Sequence, residues 1–208
     1  MSDKLKILEL IELPKVITER GFDLLERLMG PSIDEFGSLF GESLRIRRLK
    51  NQLIILSKAK KIAEEAGLNL RALNLKELVP LLEYSSLEEN KDLQELWSQL
   101  IANVASDLSE DFGPAMFRTL KELTQIEALV LKDLTARGGI EEYFEIETIK
   151  NHPEEIRISI MSHLSSLGLI RQSILPITGG EGFQILDTTY ELSGYGQYFM
   201  KNCTETLR

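Results

Sequence analysis

Between Leu93 and Val104 the apolar residues fall at Leu93, Leu96, Trp97, Leu100, Ile101 and Val104. Spacings of three and four place all six on one stripe of a 3.6-residue helix. Gln94, Glu95, Ser98, Gln99 and Asn103 lie off that stripe and are expected to face water. The stretch holds the only tryptophan of the chain, and an indole on an apolar stripe is core, not a ligand-stacking platform. Such a stripe must be buried against other elements, so the chain is predicted to be organised around this helix.

The charge pattern excludes more than the total does. A net charge of −9 counts against broad affinity for nucleic acid or anionic membrane, because phosphate binding needs surplus cations. Residues 45–61 nevertheless carry seven Lys/Arg and no acid, and residues 62–112 carry eleven Asp/Glu against three Lys/Arg. Arg45, Arg47, Arg48 and Lys50 form the densest basic patch. The first expectation is internal pairing with the acidic stretch that follows. Peripheral membrane contact is an alternative, since an amphipathic, Phe-bearing segment precedes the patch. Contact with nucleic acid is the third. The four residues are therefore candidate membrane or partner contacts.

The chain is long enough to bury a sizeable core in one or two domains, and its 43% hydrophobic and 27% charged residues are those of a globular protein. Cys203 is the only cysteine, so no intrachain disulfide forms and a reducing compartment is expected. The N-terminal sequence lacks the pattern of a signal peptide, and no apolar run reaches the ~18 residues of a membrane span. The expected location is the cytoplasm.

Along the first half, residues 3–13 are a short amphipathic helix candidate interrupted by Pro14. Gly21, Gly30, Gly37 and Gly41 then suggest short helices, Phe22–Met29 and Ile33–Phe40, on either side of Pro31. One long helix is predicted from Glu42 to Ala66, ending at Gly67 in the left-handed C′ position. It carries two apolar stripes, which suggests contact from more than one side. Its lysines at 58, 60 and 61 suit the macrodipole, whereas its four N-terminal cations lie at the wrong end. Asn74 with Glu77, and Ser86 with Glu89, are helix-start signatures. Pro80 is expected to kink or restart the helix it interrupts. The polar run from Asp107 to Pro114 is the expected boundary between a helical module, 1–112, and a second domain, 113–208.

The second half has a different grammar. Leu120, Leu123, Ile126, Leu129, Val130 and Leu134 give a helix to about Ala136, and residues 143–150 a short second helix. A third opens at Pro153 with Glu154 and Glu155 in its first turn, is lined inside by Ile156, Ile160, His163 or Leu164, and Leu167, and ends at Gly168. Residues 169–177 and 183–193 read as a β-hairpin joined through Thr178-Gly179-Gly180-Glu181-Gly182, with a closing helix from Gly194 to about Asn202. That order is the order of a winged helix-turn-helix. The fold class expected is mainly α: a helical N-terminal module followed by a small winged helix with one β-hairpin.

The runs KNQLIILSKAKKIAEEAGLN (50–69), LVPLLEYSSLEENKDLQELWSQLIANVA (78–105), HLSSLGLI (163–170) and YELSGYGQYF (190–199) resemble the Abi-alpha family, a bacterial domain whose name refers to abortive infection. The resemblance covers roughly residues 40–202 and is most specific over Leu78–Ala105. It implies a link to phage defence and brings no catalytic residues.

Residue chemistry offers little catalysis. His152, His163 and Cys203 have no zinc-site spacing, the glycines of GPSIDEFGSLFG precede no GK[ST], and neither histidine has the context of a base for a serine or cysteine nucleophile. No metal and no cofactor are expected. Arg157 and His163, in RISIMSH, have the spacing of the Arg…His motif of helical toxin ribonucleases. Six positions on one helix set them about 240° apart, however, and Ile158 stands where that motif is usually polar. The function expected is a non-enzymatic interaction protein, working through a protein partner or self-association, with a DNA-binding regulator and a toxin ribonuclease as alternatives. As a DNA reader the third helix would present Glu155, Arg157, Ser159 and Ser162 on its outer face, and one cation there disfavours DNA.

Overall fold

The computed structural model describes residues 13–29, 42–107, 113–137, 140–142, 146–178 and 184–207, with backbone alone at 42–45, 140–142, 173–178 and 184–188. The expected helices 3–13 and Ile33–Phe40 lie outside those residues. The chain is mainly helical, with a small antiparallel hairpin towards the C-terminal end. It divides into two compact units, Met1–Glu122 together with Asn202–Arg208, and Leu123–Lys201.

In the first unit, helix α1 spans Lys15–Met29 and α2 spans Glu42–Ala66. Gly21 does not break α1. A Cβ there would lie 2.7 Å from the carbonyl oxygen of Leu53, so the glycine permits a close crossing with α2. Helix α2 packs against α1 and against α4, Lys91–Val104, which accounts for its two stripes. It ends as expected: Gly67 has φ +67°, and the N–H of Leu68 reaches back to the carbonyl of Ala63 at 2.9 Å.

Helix α3, Leu75–Ser85, opens with the expected reciprocal cap between Asn74 and Glu77 and continues through Pro80. The expected helix start at Ser86 is overturned. Ser86 closes α3, and Asn90 caps α4 by accepting from the N–H groups of Asp92 and Leu93. The carboxylate of Glu77, buried, also meets Arg71, whose Nη2 lies 2.9 Å from Oε1 and whose N–H donates to Ala105. That pair fastens the connection before α3 to the end of α4.

Trp97 is fully buried and stacks on Phe117 of α5, Gly113–Glu122, with ring centroids 6.0 Å apart. The expected polar face of α4 is only partly in water. Glu95 is exposed and Gln99 half-buried, but Gln94, Ser98 and Asn103 are buried. Each donates to a main-chain carbonyl: Gln94 to Glu88, Ser98 to Ile55 and Gln94, Asn103 to Asn202 and Glu205.

The compact units divide after Glu122, ten residues beyond the expected boundary, because α5 packs on α3 and α4. The helix expected to run on to Ala136 is two. After α5 a reciprocal cap between Thr124 and Glu127 starts α6, Gln125–Ala136. Strand β1, Ile140–Glu142, follows. Residues 147–152 form turns where a second helix was expected, tied to α6 by Thr148, whose N–H and hydroxyl both donate to Asp133. Helix α7 spans Glu154–Ser166 with Pro153 at its N-cap, and ends at Gly168 with φ +70°.

Strands β2, Ile170–Thr178, and β3, Gln184–Leu192, form the expected hairpin. Strand β1 adds antiparallel to β3, giving the order β1-β3-β2. Arg171 and Glu191 face each other across the hairpin, 2.6 Å apart. Helix α8, Gly194–Thr204, follows, and Gly196 is required there because a Cβ would collide with the carbonyl of Leu169. Among the described residues, no helix is long and apolar enough to cross a membrane.

Candidate functional site

The basic block lies on the first half of α2, where its cations seemed misplaced. Arg48 serves a neighbouring helix instead of its own. It donates from Nε to Ser86 Oγ at 2.8 Å and from Nη2 to the carbonyl of Glu83 at 3.2 Å. Asn51 donates to the carbonyl of Ser86, and Gln52 to that of Leu82. The last carbonyls of a helix have no partner within it, and its C-terminal end attracts positive charge. The four interactions therefore seal the end of α3. Arg47 meets Glu89 at 2.5 Å in an exposed pair, of a kind worth about 1 kcal/mol or less. Lys50 is half-buried, and the side chain of Arg45 lies outside the described residues. Arg47 thus meets one acid of the stretch that follows, whereas Arg48 bonds to a hydroxyl and a main-chain carbonyl there.

The outer face of α7 is a different surface. Glu154 and Glu155 occupy the exposed first turn, and Ser159 and Ser162 are exposed further along. Arg157 is half-buried. Ile156, expected inside, is 47% exposed and Ile158 is 51% exposed. The helix instead buries Ile160, Met161 and Leu164. Ile156 lies off the side of the helix on which those three fall. The exposed strip is thus two carboxylates, two isoleucines and hydroxyls.

His163 leans towards α6. Its Nδ1 lies 2.6 Å from Oε1 of Glu127, a buried carboxylate whose Oε2 accepts from the N–H and hydroxyl of Thr124. A carboxylate only accepts, so the contact puts the proton of that imidazole on Nδ1 and directs Nε2 away from Glu127. Arg157, six positions earlier on the same helix, has no place in this contact. Glu127 was not foreseen as a partner of His163. The signal within reach was Thr124-x-x-Glu127 itself, which marks a helix start and so puts the carboxylate on the first turn of α6.

The ring of Trp97 is enclosed by the core. Cys203 is buried, and burial pushes its thiol well above the usual range. Among the described residues, no group of His, Cys, Asp and Glu is placed to hold a metal ion.

The model of the abortive infection alpha family matches residues 50–203. That span takes in α2 from Lys50 onward, the capped pair α3 and α4, and the second unit to the end of its hairpin and into α8. No curated protein and no solved structure matches the chain. With the match covering most of the sequence, this chain belongs to the abortive infection alpha family.

Proposed function

We propose that the protein is a non-enzymatic interaction component of phage defence, acting in the bacterial cytoplasm, and that the outer face of α7 contacts a protein partner. The observation that carries the reading is the exposed pair Ile156 and Ile158 beside Glu154 and Glu155. Isolated exposed apolar residues are ordinary, but these two, about 200° apart around the helix, border the acidic outer face on either side, and apolar side chains bordering acid suit a protein surface better than a phosphate backbone. The family membership supplies the association with abortive infection.

A second reading, a winged-helix DNA-binding regulator, is favoured by the element order of residues 123–201 and by the sheet order β1-β3-β2. In that geometry α7 is the recognition helix and its N-terminal residues approach the major groove. Two carboxylates there oppose the DNA backbone, and Arg157 is the single cation on the helix. An anisotropy titration with random duplex at ~50 mM salt separates the readings: no binding below about 10 µM is expected. Saturation well below that concentration, with a steep salt slope, would establish the regulator. Phage plating with and without the gene tests the defence role.

A further inference from the structure

We infer that residues 202–207 form a releasable strap, held through its main chain by Gln99 and Asn103 of α4 and able to open without unfolding the first unit. Asn103 Nδ2 donates to the carbonyls of Asn202 at 2.8 Å and Glu205 at 2.7 Å, and its Oδ1 accepts from the N–H of Leu207 at 3.0 Å. One turn earlier, Gln99 Nε2 donates to the carbonyl of Glu205 and to Thr206 Oγ1, both at 3.1 Å. Four of these five bonds address backbone atoms, so the grip depends little on which side chains the segment carries. The carbonyl of Asn202 belongs to the last turn of α8, where no intrahelical donor remains. Asn103 is thus the cap of that helix, supplied from another one.

Apolar anchoring of the segment is slight. Cys203 and Asn202 are buried, but Thr204 and Glu205 are exposed, and Thr206 and Leu207 are half-buried. A segment held mainly by polar bonds, with little apolar surface covered, opens at a lower free energy than the core beside it. Residues 123–201 form their own unit and the chain returns to the first unit at Asn202, so the strap and the helix that holds it belong to the same unit.

Cys203 makes the opening measurable, because the only thiol of the chain is buried within the strapped segment. Maleimide or DTNB labelling of the full-length protein should proceed at a rate independent of denaturant well below the unfolding transition that Trp97 fluorescence reports. Each intramolecular hydrogen bond shifts an equilibrium by about five-fold. Gln99→Ala should therefore speed labelling several-fold and Asn103→Leu, of similar volume, at least ten-fold, with the Trp97 transition retained. Labelling of the wild-type protein that follows the Trp97 transition at every denaturant concentration would overturn the strap. That wild-type comparison decides the matter even if Asn103→Leu fails to fold.

Discussion

Helices α4 and α7 are nearly equal in length, 14 and 13 residues, and treat their side chains in opposite ways. Helix α4 buries ten residues, among them Gln94, Ser98 and Asn103, whereas α7 buries three and leaves two isoleucines outside. Hydropathy alone predicts neither outcome. The amides and hydroxyl of α4 go inside because main-chain carbonyls of Ile55, Glu88, Asn202 and Glu205 meet them there. A buried carbonyl without a donor is costly, and a polar side chain that supplies the donor belongs in the interior. The isoleucines of α7 lie off the side of the helix that buries Ile160, Met161 and Leu164. A side chain's place is set by what its neighbours need.

The largest test of this contrast is at the centre of α4. Trp97→Ala should cost about 3–5 kcal/mol, as a large-to-small change in a closed core, and denaturation followed by circular dichroism should show it. A midpoint equal to that of the parent would mean that α4 is not the organising helix. On α7 the opposite is expected. Replacing Ile156 and Ile158 together by Ser should change stability by no more than about 0.5 kcal/mol, while phage protection in a plating assay falls to the level of cells without the gene. A large loss of stability would place that face inside after all, and unchanged protection would remove it from the partner surface.

The smallest effect belongs to a surface contact that resembles neither helix. Lys60 lies 2.5 Å from Asp23 and holds its carboxyl below the usual range. The folded state therefore binds the proton less readily than the unfolded chain. Its stabilisation is present above the unfolded value of about 3.9 and is lost as pH falls through the lowered folded value. Asp23→Asn should lower the urea midpoint slightly at pH 7, since solvent screens the pair, and by less as the pH falls below the unfolded value. A loss that stays the same as the pH is lowered would assign the effect to packing.

The elements that the sequence made legible share a local cause. Gly67 and Gly168 ended their helices where the left-handed residue was expected, Asn74 with Glu77 opened α3, and the hairpin strands fell where β-branched runs met glycine-rich sequence. The readings that needed correction involve distant partners. Gly21 looked like a helix breaker and is a crossing point with Leu53. Ser86 with Glu89 satisfied the helix-start pattern, yet Ser86 accepts from Arg48, 38 residues away, and Asn90 is the cap. The pairing of His163 with Glu127 also spans 36 residues and joins two helices.

The sequence by itself determined the helical class, the stripe that buries Trp97, the hairpin and the resemblance that the family match then established. Those depend on periodicity, capping chemistry and turn residues, which act within a few positions along the chain. Only the tertiary structure decided that Arg48, with Asn51 and Gln52, closes the end of α3, that Asn103 holds residues 202–207, and that Ile156 and Ile158 remain outside. A helix-terminal carbonyl accepts a proton from any donor brought within reach, and an apolar side chain is buried only if some surface covers it. Both conditions are set by which elements meet, and elements far apart in sequence meet only in the fold.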